Sequence, residues 1–243
     1  MNTARRIRNF IGVMLLVAAS TAVYVCLMSH RQHSYLTVAI LALAAASSRM
    51  KVKLPGIDGN MSVNLPFLLT AILALSAAEA LLITCVSTAV QCWPRKNAKF
   101  NSQQITFNVS MMAFATAIAG MLAHIDGLAG NPSPLQQGVA LALAAAALFI
   151  GQTVPVAGIL AVSESKRFGL MWRELAQLSF PYYLVSAGVT SMVEAVGGHL
   201  GWGLALGVFP LMYAIHRCHR MYFSRMVENA PSPVLVKAAG AGI

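Results

Sequence analysis

Glu79 and Glu194 are the residues of this chain best placed to do chemistry. Each lies beside long apolar stretches. An ionisable side chain at membrane depth is costly, so it is by default a functional candidate. Each glutamate follows a serine by three positions (Ser76, Ser191) and a proline by thirteen (Pro66, Pro181). The prolines open the parallel runs Pro66-Phe67-Leu68-Leu69 and Pro181-Tyr182-Tyr183-Leu184. Gathered around one cavity, the two carboxylates, Ser76, Ser191, Pro66, Pro181, Tyr182 and Tyr183 would bind a small molecule or an ion. The spacing also has a structural reading. Ser76-Ala77-Ala78-Glu79 and Ser191-Met192-Val193-Glu194 both fit the capping box, in which the serine and glutamate satisfy each other's backbone N–H at a helix start. For each glutamate taken singly, the capping reading is the better fit.

Other polar groups carry less. His30, His33, His124 and His199 are expected on one side of a membrane with Asp126 and Glu194. Imidazole and carboxylate can hold a divalent metal or respond to pH. No ligand spacing of the His-Glu-x-x-His kind is present, so neither a metal site nor a cofactor is expected. The loop Leu54-Pro55-Gly56, with Gly59 and Asn64 after it, has Pro-Gly at the central positions of a type II turn. It lacks the Lys and Ser/Thr of a phosphate-binding loop. No GxSxG motif, Walker motif or intramembrane protease constellation occurs, and the chain is expected not to be an enzyme.

The elements that must position these residues follow from composition. Hydrophobic residues make up 58% of the 243 and charged residues 10%, with a mean hydropathy of +0.69. A soluble domain carries about 25% charged residues, so this chain could not cover a globule with polar surface. The net charge of +10 is confined. Every Lys and Arg but Arg31 falls in one of five clusters: Arg5/Arg6/Arg8, Arg49/Lys51/Lys53, Arg95/Lys96/Lys99, Lys166/Arg167/Arg173 and Arg217/Arg220/Arg225/Lys237. Short cytoplasmic loops of membrane proteins collect these residues. The clusters therefore mark five cytoplasmic segments in contact with anionic lipid, and nucleic acid is not an expected partner.

Each apolar stretch between clusters must leave the cytoplasm and return. The stretches are 9–27 with 34–48, a hairpin of 62–75 with 76–91, 103–124 with 135–162, and 175–193 with 201–215 turning at Gly197-Gly198. The segment 164–174 reads as a short interfacial element. The expected fold is an all-α polytopic transmembrane bundle. It has about eight membrane segments, some short or re-entrant, with both termini cytoplasmic. One domain covers 1–227, with a loose cytoplasmic tail at 228–243. The matching Pro, Ser and Glu positions suggest a parallel duplication, four segments plus four, over 1–99 and 100–227.

The run Lys-x-x-Leu-Pro-Gly-x-x-Gly from Lys51 to Gly59, followed by Ser62, Asn64 and the Phe67–Glu79 hairpin, resembles MASE-type N-terminal membrane sensor regions. These precede GGDEF or HD-GYP output domains in bacterial signalling proteins. Gln91 with its basic loop, Phe107-Asn108, Phe180-Pro181-Tyr182-Tyr183-Leu184, and Pro210-Leu211-Met212-Tyr213 running into Arg220-Met221-Tyr222 extend the likeness over about Arg49 to Val227. The resemblance implies a non-enzymatic sensor in the bacterial inner membrane, binding an unidentified small ligand. Sixteen residues follow Val227, so no cyclase or phosphodiesterase domain is expected, and the chain is either a stand-alone module working with a separate cytoplasmic signalling partner or one whose output domain was lost. A looser likeness of the 61–93 hairpin to the substrate-binding components of energy-coupling-factor vitamin transporters implies the alternative, a small-solute transporter or its membrane binding subunit. Ligand and oligomeric state are not legible in the sequence.

Overall fold

The computed structural model describes residues 3–29, 34–53, 60–94, 101–125, 133–164 and 166–200, with the single positions 214, 217, 218 and 221. In chain order the elements are α1 (Thr3–Met28), α2 (Ser34–Ser48), β1 (Lys51–Lys53), β2 (Asn60–Ser62), α3 (Leu65–Ala74), α4 (Ala77–Cys92), α5 (Ser102–Ala123), α6 (Pro134–Glu164) and α7 (Phe168–Leu200). The protein is a helical bundle whose one departure from all-α, among the described residues, is an antiparallel ribbon pairing Lys51 with Ser62, Val52 with Met61 and Lys53 with Asn60. The ribbon flanks the predicted Pro-Gly loop. Leu54, Pro55, Gly56 and Gly59 themselves lie outside the described residues.

Contacts along the helices give their directions. Phe10 of α1 stacks near Phe107 of α5, and Val25 packs with Leu81 and Ala117, so α1 and α5 run together and α4 runs against them. Asn108 Nδ2 donates to Cys92 Sγ at 3.2 Å and Thr116 Oγ1 to Thr84 Oγ1 at 3.1 Å, which confirms α4 and α5 as antiparallel. Thr37 meets Glu79, and Arg49 Nη1 donates to the Val90 carbonyl at 3.3 Å, so α2 runs with α4. Phe10 also reaches Gly158, which sets α6 against α1. Arg5, Arg6, Arg8 and Arg49, and Lys166 and Arg167 after α6, therefore share one end of the bundle, as the charge clusters require. Arg49 there places a cation against the last carbonyls of α4, the favourable end of the helix dipole.

Burial identifies the solvent. On α1 the fully buried residues are Ile11, Ala18 and Val25, one narrow seam at a seven-residue repeat. Val13, Leu16, Val23, Tyr24 and Leu27 point outward, as do Leu82, Val139, Ile150, Leu184 and Met192 on other helices. A soluble monomer does not expose an apolar belt of this extent. Three helices, α1, α5 and α6, are long and apolar enough to cross a bilayer. The chain is a membrane protein, and the outward side chains face lipid. α5 lies innermost, between α1, α4 and α6, and is buried along most of its length.

The hairpin predicted over 62–75 and 76–91 is α3 and α4. Met50 accepts from the Val63 N–H at the basic end, and His124 Nε2 lies 3.1 Å from the Ile72 carbonyl at the other end. α3 therefore climbs, and α4 returns beside α5. α3 has ten residues, about 15 Å at 1.5 Å per residue. That is about half of a hydrocarbon core of roughly 30 Å. Leu65 to Ile72 are all buried, so protein rather than lipid surrounds this half-span. Half-spans occur only under that condition, because lipid cannot satisfy free backbone groups.

Two expectations fail in α7. It runs unbroken from Phe168 to Leu200, so 168–174 is its first two turns and not a separate interfacial element, and Gly197-Gly198 forms no turn. A glycine costs a helix interior only about 1 kcal/mol, so the pair does not by itself end one. The predicted segment 201–215 and the tail 228–243 lie outside the described residues, apart from Ala214. The count of eight segments and the duplication do not emerge from the structure. Pro66 and Ser76 bracket a short helix and a tight turn, whereas Pro181 and Ser191 lie inside one continuous helix.

Candidate functional site

Ser76 starts α4 as predicted. Its backbone is extended, its hydroxyl accepts from the Glu79 N–H at 3.3 Å, and Glu79 Oε2 accepts from the Ser76 N–H at 3.0 Å. The capping box is complete, and the Ser76 hydroxyl also donates to Glu79 Oε2 at 2.6 Å. The sequence reading missed a third partner. Thr37, from α2, donates its hydroxyl to Glu79 Oε1 at 2.5 Å. The Ser29 hydroxyl, just past α1, accepts from the Ala78 N–H at 3.5 Å. The carboxylate of Glu79 thus ties the α3–α4 turn to α2 and is largely buried among these donors. Carboxylates at a helix N-terminus are stabilised by the dipole as well as by the N–H donors.

The second predicted box does not form. Glu194 lies deep in α7, where its N–H belongs to the helix ladder and leaves no orphan donor for Ser191 to cap. Ser191 and Pro181 are exposed. The two glutamates are therefore not equivalent: Glu79 is held on the α2–α4 side, and Glu194 lies on α7, which packs against α3 and α6.

Pro66, Tyr182 and Tyr183 are brought together, in a different group from Glu79. Tyr182 Oη accepts the Leu65 N–H at 3.2 Å, one of the unpaired donors at the start of α3. Thr190 Oγ1 donates to the Pro66 carbonyl at 3.3 Å. Tyr183 Oη donates to the Leu148 carbonyl at 3.4 Å, and its ring meets Phe149 edge-on at 5.2 Å. α7 thereby clamps the first turn of α3 onto α6. Ser186 and Thr190 were missed, although Tyr182, Ser186, Thr190 and Glu194 recur every fourth residue and so share one helix face. Asn64 is buried at the α3 N-cap without a side-chain capping bond. Tyr182→Phe should lower stability by about 1 kcal/mol, the net value of one buried hydrogen bond. A denaturant titration in detergent micelles measures this, and an unchanged midpoint would show that the Leu65 N–H finds another partner.

Among the described residues no three His, Cys, Asp or Glu side chains gather as metal ligands. His124 is occupied at the Ile72 carbonyl. His30 and His33 lie outside the described residues, and His199 lies within α7 without a described side chain. Comparison with protein-family models, with curated proteins and with solved structures returned no match.

Proposed function

We propose that this chain is a non-enzymatic membrane sensor module of a bacterial signalling system. In this reading it lies in the inner membrane with its basic end cytoplasmic, in about eight segments. It binds a small molecule or ion on the side of the α3–α4 turn and reports to a separate cytoplasmic partner through the basic segment beyond α7. The carrying observation is the Lys51-to-Gly59 run with Ser62, Asn64 and the hairpin that follows it. The geometry supports a route for the signal. α3 is anchored at the turn by His124, at its foot by the ribbon, and along its first turn by α7. A ligand that moves the turn would move α7 with it.

The test is a thermal-unfolding screen of the full chain in detergent across metals, pH and small metabolites, paired with the reactivity of the exposed Cys218 thiol toward a maleimide. The reading expects a ligand that raises the midpoint and changes the Cys218 rate. Binding without any change at Cys218 would count against signalling. One observation favours a second reading, a solute transporter or its binding subunit. The buried half-span α3, which ends at the turn before Ser76, is the kind of discontinuous element that forms transporter sites near the midplane. Accumulation of a solute in proteoliposomes would decide for it.

A further inference from the structure

Glu79 and Glu194 differ in how their oxygens are used. Glu79 Oε2 accepts from the Ser76 N–H and hydroxyl, and Oε1 from Thr37. Both of its oxygens are therefore engaged by hydrogen-bond partners. Glu194 Oε1 is buried and has no hydrogen-bond partner among the described residues.

Its setting is a polar ladder along one face of α7. The Ser186 hydroxyl donates to the Tyr182 carbonyl at 2.7 Å. The Thr190 hydroxyl donates to the Ser186 carbonyl at 3.0 Å and to Pro66. Glu194 is the next rung, one turn beyond Thr190. The Ser186 and Thr190 hydroxyls already donate to carbonyls, so these two rungs offer Glu194 oxygens rather than protons.

Among the described residues, the helices packed against α7 bring no cation to Glu194. α3 carries no titratable side chain, and the one such residue of α6, Glu164, is its last, beside Lys166 at the basic end. On α7 itself, the charged side chains among those described are Arg173 and Glu174, five turns earlier, and Tyr182 and Tyr183 are occupied as above. A bare carboxylate oxygen in this setting is expensive. Taking up a proton removes the charge and gives the group a donor, for which the oxygens of the ladder are acceptors.

We propose that Glu194 is a proton-binding site: its carboxylate takes one proton from water to become the neutral acid, and returns it when the surroundings of α7 change. Glu79, by contrast, is a structural group held in its capping box and by Thr37. The inference stands apart from the sensor reading, since a proton site of this kind serves a sensor or a transporter equally.

The test is infrared difference spectroscopy of the full chain in lipid vesicles, titrated with pH. The expected result is a protonated-carboxyl C=O band, titrating separately from the water-exposed carboxylates, that Glu194→Gln removes and Glu79→Gln keeps. Glu194→Asp should keep the band at a shifted frequency, which guards against loss through misfolding. Peptide mapping after treatment with a hydrophobic carbodiimide, which attacks protonated carboxyls in apolar surroundings, should place the label on Glu194. The proposal is overturned if no separate band exists, if the band survives Glu194→Gln, or if Glu79→Gln is the variant that removes it.

Discussion

Gly151→Ala is expected to lower the unfolding midpoint sharply, and Gly151→Leu more so. A Cβ at residue 151 would sit 2.6 Å from Ala115 Cβ and 3.1 Å from Ala115 Cα. These are atoms of a facing helix and not the end of a flexible chain. α5 and α6 would have to separate, and overpacking of this kind costs about 1–3 kcal/mol. Alanine is the better helix former by about 1 kcal/mol, but that gain is smaller than the packing loss. Lipid gives no hydrophobic drive between helices, so close approach at small residues carries much of the association. The measurement is a denaturant titration in micelles with Ala115→Gly as the partner change. The double variant should recover most of the loss, since it removes the nearer of the two colliding atoms. Equal instability of the single and double variants would mean that α5 and α6 are not held at this crossing.

Glu79→Ala should be the second large effect, about 2–4 kcal/mol. A lost helix cap costs about 0.5–2 kcal/mol, and a hydrogen bond to a charged group is worth about 1.5–3 kcal/mol. The carboxylate serves both the capping box and Thr37, so the two losses partly add. Glu79→Gln keeps an acceptor and should cost less, whereas Thr37→Val should cost about half of the alanine variant. Ser191→Ala, the counterpart of a cap residue in the duplicated pattern, should change nothing measurable, because Ser191 is exposed within a continuous helix. If Glu79→Ala were as stable as wild type, the cap would be incidental. A ligand that raised the midpoint of wild type and not of Glu79→Gln would make the same residue part of a binding site.

Composition and charge order, both carried by the sequence, determined that this is a membrane protein and where most of its helices up to α6 begin and end. The helices α2, α3, α4, α5 and α6 begin and end within about three residues of the positions at which apolar runs meet turn or cap residues. That agreement is physical: outside water a segment can hardly be anything but helix, so boundaries follow the polar punctuation. The cap at Ser76 and Glu79 was legible for the same reason, being a local pattern of four residues.

What only the tertiary structure decided is where like patterns diverge. Ser-x-x-Glu occurs twice, but a capping box needs free N–H groups, and α7 supplies none because it continues through Gly197-Gly198. Thr37 reaches Glu79 across 42 residues of chain, and Thr190 reaches Pro66 across 124. No local rule encodes such partners, since they depend on how helices are packed. The difference between an anchored carboxylate and one with a bare oxygen is likewise a property of neighbours contributed by other segments. Two similar stretches of sequence were thus given two different chemistries by the packing around them.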